Sequence, residues 1–174
     1  MEPSAGIGVF LRMAPITAKG TAYEISKYSA TICQLLYPHV NVVNAAFETI
    51  FFEGMKHLRD KPKIGGFDLV VGNPPYGKFT GKYAGMGEKK YTKVKEYDQY
   101  FITRSLDLLN PDGLLVFIVS SGFLDGGVAA EPARKRIANQ AILLDAYRLP
   151  NGVFKTTDVG TDIVVFKKRR HENE

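Results

Sequence analysis

Short apolar runs alternate with segments of helical period along the chain. Residues 67–71 (FDLVV) and 114–119 (LLVFIV) are continuous runs of the kind seen in strands covered on both faces. Weaker strand patterns lie at residues 21–25, 41–43, 142–148 and 162–167. Helical periods are found at residues 27–36, 98–109 and 131–139, with Pro132 in the first turn of the last one. The alternation predicts an α/β fold with a mainly parallel sheet.

Three polar segments are predicted to lie outside these elements. Residues 110–113 (NPDG) are a turn signal between a helix and the next strand. Residues 77–96 contain four glycines and six lysines without a sustained period, which predicts a flexible surface loop. Residues 169–174 predict a polar, solvated tail, with a nucleic-acid contact as the alternative.

Composition narrows the class of protein. With 174 residues and 45% hydrophobic content, the chain can bury the core of one globular domain. The single cysteine, Cys33, cannot form an internal disulfide, and the longest apolar run is far shorter than the roughly 18 residues that span a bilayer. Since the start shows no signal-peptide pattern, these features predict a cytoplasmic protein without a membrane segment. The net charge of +5 is compatible with a polyanionic partner but does not require one.

A glycine-containing turn lies at the start of the chain, in residues 2–8 (EPSAGIG). After a strand, such a turn lets the backbone approach a bound ligand closely. About twenty residues later Glu24 ends a predicted strand, where a carboxylate can accept both hydroxyl protons of a ribose. Each feature alone is also typical of an ordinary turn or a surface acid. Their spacing favours a nucleotide-type site.

The sequence Asn73-Pro74-Pro75-Tyr76 directly follows the apolar run 67–71. Two consecutive prolines fix φ and remove two donors, so the chain cannot continue as a central strand and its carbonyls point in fixed directions. An amide, a fixed carbonyl and an aromatic ring are thus predicted at the carboxyl end of a strand, where open α/β sheets bind ligands. The alternative is a diproline turn with a packed tyrosine.

These motifs resemble those of the S-adenosylmethionine-dependent amino-methyltransferases, and within them the N6-adenine DNA methyltransferases of restriction-modification systems. The resemblance is carried by EPSAG, YEI, NAAF, NPPY and LDLLNPDGLLVFIVSSGFL, at residues 2–6, 23–25, 44–47, 73–76 and 106–124. It implies a Rossmann-like class I methyltransferase domain over residues 1–168. In that fold a mainly parallel twisted sheet has helices on both faces.

The resemblance also implies a cofactor, a substrate and roles for individual residues. S-adenosylmethionine would be bound by Glu2, Pro3, Ser4, Ala5, Gly6, Glu24, Ile25, Phe47, Asn73 and Pro75. The catalytic residues would be Asn73, Pro74, Pro75 and Tyr76, with the Asn73 side-chain oxygen and the Pro74 carbonyl accepting the two hydrogens of the adenine amine. Tyr76 and Phe154 would sandwich the flipped base. No metal site is predicted, because the three histidines, His39, His57 and His171, have no ligand spacing.

One position departs from the family's pattern. Family members usually carry an acidic residue just before the aromatic of the adenine-side motif, and this chain has Ala46 there. Glu48 or Asn44 could substitute for it, although the sequence favours a surface position for both. The departure predicts weaker cofactor binding unless another group takes over.

The motifs begin at the first residues of the sequence. Of the strand that leads into the cofactor loop only Met1 and Glu2 are present, and the upstream helix of the family and a target-recognition domain are not. We therefore expect an N-terminally truncated fragment or minimal catalytic core. Its partners would be adenine-containing DNA and a missing N-terminal segment, specificity domain or subunit; the oligomeric state is not readable.

Three functions are compatible with the sequence. The first is a DNA adenine N6-methyltransferase of a restriction-modification system. The second is an NPPY-type methyltransferase acting on protein glutamine or RNA. The third is an inactive or partner-dependent fragment of a larger methylase, which the short first strand and Ala46 motivate.

Overall fold

The computed structural model describes residues 1–51, 66–80, 91, 94–150, 152–154 and 159–170. His57, His171, the centre of the predicted loop at 77–96 and most of the predicted polar tail lie outside the described residues. Among the helices that the structure describes, none is long and apolar enough to cross a membrane.

The described residues contain six strands, whose bounds follow the apolar runs of the sequence, except that the fourth strand begins five residues before its predicted start at residue 114. They are β1 (Thr21–Tyr23), β2 (Asn41–Val43), β3 (Phe67–Gly72), β4 (Leu109–Ser120), β5 (Ala141–Arg148) and β6 (Thr161–Lys168). β1 pairs with β2 in parallel, and the other four strands have the order β3-β4-β6-β5. β3 and β4 are parallel, whereas β6 is antiparallel to both of its neighbours. The sheet is therefore mainly parallel with one reversed strand.

Met1 and Glu2 join the two groups of strands. On one side, Glu2 N donates to Thr21 O and Tyr23 N donates to Glu2 O, each at 2.9 Å. On the other side, Val71 N donates to Met1 O at 3.0 Å, and the Met1 ammonium donates to Leu69 O at 2.7 Å. These two residues thus lie between β1 and β3, where the sequence placed the remnant of a central strand. The turn that follows them leaves the sheet at its centre.

In the part of the chain that the structure describes, four α-helices and two short 3-10 helices connect the strands. The α-helices are α1 (Lys27–Leu36), α2 (Tyr97–Leu108), α3 (Gly122–Asp125) and α4 (Gly127–Gln140), and the 3-10 helices are Phe10–Met13 and Phe47–Phe51. The prediction for the last helix was wrong at its start, because Pro132 lies inside α4 and not in its first turn. The added first turn contains Val128, Ala129 and Ala130, which carry no capping signal that a sequence pattern could detect.

The ends of the predicted flexible loop are held by the fold. Lys78 and Glu96 form an antiparallel bridge, and Phe79 N donates to Lys95 O at 2.6 Å. The Phe79 ring is buried and stacks on Tyr100 with 4.4 Å between ring centroids. Aromatic burial overrides the Gly and Lys composition at Phe79, so the predicted surface position was wrong for this residue, and also for the buried Tyr91 and Val94. Gly77, Lys78, Thr80 and Lys95 are exposed and lie outside the helices and strands, as predicted.

The core lies between the sheet and α2. Leu106 of α2, Val70 of β3, and Leu115 and Phe117 of β4 are all fully buried. Residues 110–113, predicted to form a turn before the strand, lie inside β4 and form an irregularity there, because Phe67 pairs with Leu109 and Leu69 with Leu114. Four residues of β4 thus lie opposite one residue of β3, and one of the four, Asp112, has a φ of 65°.

Gly8 is expected to be the least replaceable glycine of the first turn. Its φ is +86°, and a Cβ there would lie 2.6 Å from Cε2 of Tyr37 and 2.9 Å from Sγ of Cys33, both on the α1 side of the turn. Gly8→Ala combines left-handed strain with overpacking, so it should lower the free energy of unfolding by roughly 3 kcal/mol in urea titrations. Gly77→Ala is the matched control, with a φ of +91° and no atom within 4 Å of the added Cβ. Equal losses for the two variants would contradict the packing argument.

Candidate active site

The ends of three neighbouring chain segments meet at one edge of the sheet. Glu24 follows β1, Pro3 follows the Met1–Glu2 segment, and Asn73 follows β3. The hydroxyl of Ser4 lies 3.5 Å from the carbonyl oxygen of Asn73, a long contact that connects the glycine turn to the diproline corner. The structure therefore brings together the two motifs that the sequence predicted to share a site.

A cavity of about 270 Å³ lies at this edge. Six of its lining residues were predicted to bind the cofactor: Pro3, Ser4, Glu24, Ile25, Phe47 and Pro75. Six others were not: Tyr23, Ala45, Ala46, Glu48, Tyr97 and Phe101. Tyr97 and Phe101 come from the first turns of α2, so only the packing of that helix against the cavity could have identified them.

Glu24 is held in place by backbone amides. Gly6 N donates to its Oε2 and Ser26 N to its Oε1, both at 2.7 Å. Each carboxylate oxygen keeps a free lone-pair direction after these bonds, so the pair can still accept two hydroxyl protons. The side chain of Asn44 donates to the carbonyls of Glu24 and Ile25, at 2.9 and 3.1 Å. Asn44 thus braces the end of β1 and is exposed, as the sequence favoured.

Glu2 is a buried carboxyl with one oxygen, Oε2, left without a hydrogen bond among the described residues. The residue is 1% exposed. Burial raises the pKa of Glu2 to about 8, against the nearby Met1 ammonium, which lowers it. A Cβ on Gly72 would lie 3.8 Å from Cγ of Glu2, so the side chain is next to the end of β3. Such an acid is energetically suited to a cationic ligand.

The diproline corner contains an internal hydrogen bond. The hydroxyl of Tyr76 donates to Oδ1 of Asn73, which is the oxygen predicted to accept the substrate amine. Burial raises the pKa of Tyr76 to about 12, with Asp98 adding to the effect and the Asn73 hydrogen bond opposing it. The phenol is therefore neutral at physiological pH, which agrees with a stacking role and with no role in proton transfer. Pro74 is buried, whereas Pro75 is exposed and reaches the cavity.

Seven of the predicted site residues do not line this cavity: Glu2, Ala5, Gly6, Asn73, Pro74, Tyr76 and Phe154. Ala5 and Gly6 shape the turn: Ala5 N donates to Tyr23 O at 2.9 Å, and Gly6 has a φ of +55°. Phe154 is half-buried in the segment 152–154 after β5, and its neighbours 155–158 lie outside the described residues. Its position beside a flipped base stays a prediction.

A second cavity of about 520 Å³ lies on the other side of the first turn of α2. Its buried acid is Asp98, whose Oδ2 accepts a hydrogen bond of 2.6 Å from Ser120 at the end of β4. Lys95 and Arg136 add positive charge to its lining. Sequence reasoning assigned no role to Asp98, because its contact with Ser120 joins residues that are 22 positions apart. Within the described parts of the chain, no group of three or more His, Cys, Asp or Glu side chains could hold a metal ion.

Comparison with known proteins was made on sequence and on structure. The chain is 34% identical to the protein of Escherichia phage P1 named "Defense against restriction protein B", with 100% of this chain and 7% of that protein covered. It is 26% identical to the type I restriction enzyme MpnII methylase subunit of Mycoplasma pneumoniae, over 88% of this chain and 30% of that subunit. The chain thus spans less than a third of the length of these relatives.

Solved structures show the same fold. The type I restriction-modification system methyltransferase subunit from Streptococcus thermophilus matches with a TM-score of 0.73 at 20% identity, covering 97% of this chain and 39% of that one. A class I S-adenosylmethionine-dependent methyltransferase from Listeria monocytogenes matches with a TM-score of 0.72 at 13% identity, covering 99% and 54%. The expected class I methyltransferase fold is therefore confirmed. Residues 17–154 match the family described as Eco57I restriction-modification methylase, so the chain belongs to that family.

Proposed function

We propose that this chain is the catalytic core of a restriction-modification DNA methyltransferase that methylates the N6 amine of an adenine flipped out of the duplex. The observation that carries the proposal is the shared cavity. Glu24 and Phe47 line it from the predicted cofactor motifs, and Pro75 lines it from the predicted catalytic motif. A cofactor bound there would lie against the diproline corner, where the acceptor amine is expected.

The residues present fit S-adenosylmethionine, which supplies an electrophilic methyl group on a sulfonium when it is bound. The buried carboxyl of Glu2, whose Oε2 has no hydrogen bond among the described residues, would pair with the ammonium of its methionine part. Glu24, fixed by two backbone amides, would accept the ribose hydroxyls. Ile25 and Phe47 would enclose the adenine ring from two sides of the cavity. A site rich in carboxyl groups suits this ligand, because two of its three charges are positive.

Asn73 and Pro74 would prepare the acceptor amine. The lone pair of an adenine amine is delocalised into the ring, so the amine is a poor nucleophile. Two acceptors on its hydrogens, the Asn73 side-chain oxygen and the Pro74 carbonyl, favour the form in which that lone pair points at the methyl group. Their effect grows as positive charge develops on the nitrogen, which is stabilisation of the transition state. The methyl transfer itself then depends on proximity and orientation.

The base would be held by aromatic stacking. Tyr76 follows the diproline corner directly and its neutral ring is half-buried, and Phe154 would take the opposite face. Each stack contributes about 1–3 kcal/mol, which offsets the few kcal/mol needed to extrude a nucleotide. We place recognition of the target sequence outside this chain, in the parts of the longer relatives that it does not cover.

The function is tested by transfer of a tritiated methyl group from S-adenosylmethionine to three acceptors: adenine-containing duplex DNA, RNA of the same sequence, and a glutamine-containing peptide. We expect label in DNA, at N6 of adenine after digestion to nucleosides. Asn73→Ala should reduce the rate about 100-fold or more while cofactor affinity changes little, because it removes an acceptor used mainly in the transition state. Label found only in RNA or peptide would show that DNA is not the substrate. Full activity of Asn73→Ala would show that Asn73 is not catalytic.

The raised pKa of Glu2 predicts that cofactor binding releases a proton. Because its pKa is about 8 in the free protein, Glu2 is mostly protonated at neutral pH. An ammonium bound beside it would lower that pKa, so cofactor binding at pH 7 should release close to one proton. Titration calorimetry in buffers of different ionisation enthalpy measures this release, and Glu2→Gln should lack it. Exposed Glu131 provides the control variant, Glu131→Gln, which should release the same proton as wild type. Equal release by Glu2→Gln and wild type would rule out the assigned ion pair.

A further inference from the structure

We infer that Glu48, in its neutral acid form, recognises the adenine base of the cofactor through two hydrogen bonds. This inference rests on the function proposed above, because it names the group that reads the base in the same cavity. It concerns the place where the sequence departs from the family, at Ala46. The methyl group of Ala46 cannot form a hydrogen bond with a ligand.

The backbone at Ala46 cannot replace the missing side chain. Its carbonyl oxygen accepts from Thr49 N at 3.0 Å and from the Thr49 hydroxyl at 2.7 Å. A carbonyl oxygen has two lone pairs, and both are used by the 3-10 helix Phe47–Phe51. A polar group that reads the base at this end of the cavity must therefore come from another residue.

Glu48 is placed to supply it. It lies in the first turn of the 3-10 helix, lines the cavity together with Ala45 and Ala46, and is only 6% exposed. The other carboxyl of the cavity, Glu24, is fixed at the end of β1 by Gly6 and Ser26. The two acids thus have different partners, and Glu48 is the one on the same turn as Ala46.

The surroundings of Glu48 favour its neutral form. Burial raises its pKa, and the only opposing effect is a hydrogen bond with its own backbone amide. The groups that face it on α2 are the phenols of Tyr97 and Tyr100, and the pKa of each is raised in part by Glu48. The nearest cation on α2, Arg104, is 2.9 Å from Asp107 and lies over the Phe51 ring at 3.5 Å. The other acid that lines the cavity is Glu24, at the end of β1.

A neutral carboxylic acid matches the Watson–Crick edge of adenine. Its carbonyl oxygen accepts from the N6 amine, and its hydroxyl donates to N1. The ionised carboxylate could accept from N6 but would face the N1 lone pair with a second acceptor. A glutamine side chain keeps both bonds without titrating, which makes Glu48→Gln an isosteric test of the protonation state.

The experiment measures the affinity of the 174-residue chain for S-adenosylhomocysteine and for its 1-deaza analogue, which lacks the N1 acceptor, by calorimetry between about pH 6 and 9. We expect wild type to bind the 1-deaza analogue about tenfold more weakly, as loss of one buried hydrogen bond predicts. Glu48→Ala should bind both ligands about equally and the parent ligand at least tenfold more weakly than wild type. Wild-type affinity should fall at high pH relative to Glu48→Gln, since ionisation of Glu48 removes the donor.

The outcomes separate this inference from the proposed function. If wild type binds the parent ligand and Glu48→Ala binds it equally well, the inference is overturned and the cofactor assignment stands. If wild type and Glu48→Gln share one pH profile, Glu48 does not act as a neutral donor and the inference is overturned as well. If wild type binds neither ligand at any pH, both the proposed cofactor and this inference are wrong. Thermal unfolding of each variant, with Glu131→Gln as the surface control, verifies that affinity is compared between folded proteins.

Discussion

The site depends on the hydrogen bonds that hold Met1 and Glu2 between β1 and β3. They bind the two groups of strands into one sheet and fix the point from which the glycine turn departs. Since β1 and β3 lie on either side of this segment, Glu24 and Asn73 both lie next to the turn, which contacts Glu24 through Gly6 N and Asn73 through the Ser4 hydroxyl. Backbone pairing inside the sheet thus sets the geometry of the cavity and the positions of the side chains at its rim.

Three glutamates of the site carry the same carboxyl group but lie in different surroundings. Glu24 is satisfied by two amides, Glu2 is buried without a partner for Oε2, and Glu48 is buried against apolar and phenolic groups. Burial without compensation shifts a carboxyl toward its neutral form. In the proposed complex, Glu2 pairs with the ammonium of the ligand, Glu24 with the ribose diol and Glu48 with the purine edge.

Much of the fold was predictable because its strands and helices carry strong local patterns. β2 and α1 have the predicted bounds, and β3, β5 and β6 differ by a residue or two at their ends. Half of the residues that line the cavity were predicted, because they belong to motifs that follow strands. The remaining half, such as Tyr97 and Phe101, depends on how α2 packs. Glu48 was predicted to lie at the surface because single acids usually do, and this was wrong, since it is 6% exposed. The start of α4 and the buried Phe79 were missed for the related reason that tertiary packing overrode composition.

In the proposed reaction, the hydrogen bond from Tyr76 to Asn73 has a thermodynamic consequence. The Oδ1 oxygen of Asn73 is already paired with a hydroxyl of the protein, so an entering amine would exchange one partner for another and gain only the difference between the two bonds. Ground-state affinity for the acceptor amine would thereby be kept low. The amide oxygen would bind the amine more strongly than the Tyr76 phenol only when the amine becomes the more acidic donor. This happens as the amine nitrogen begins to form its fourth bond, to the methyl group.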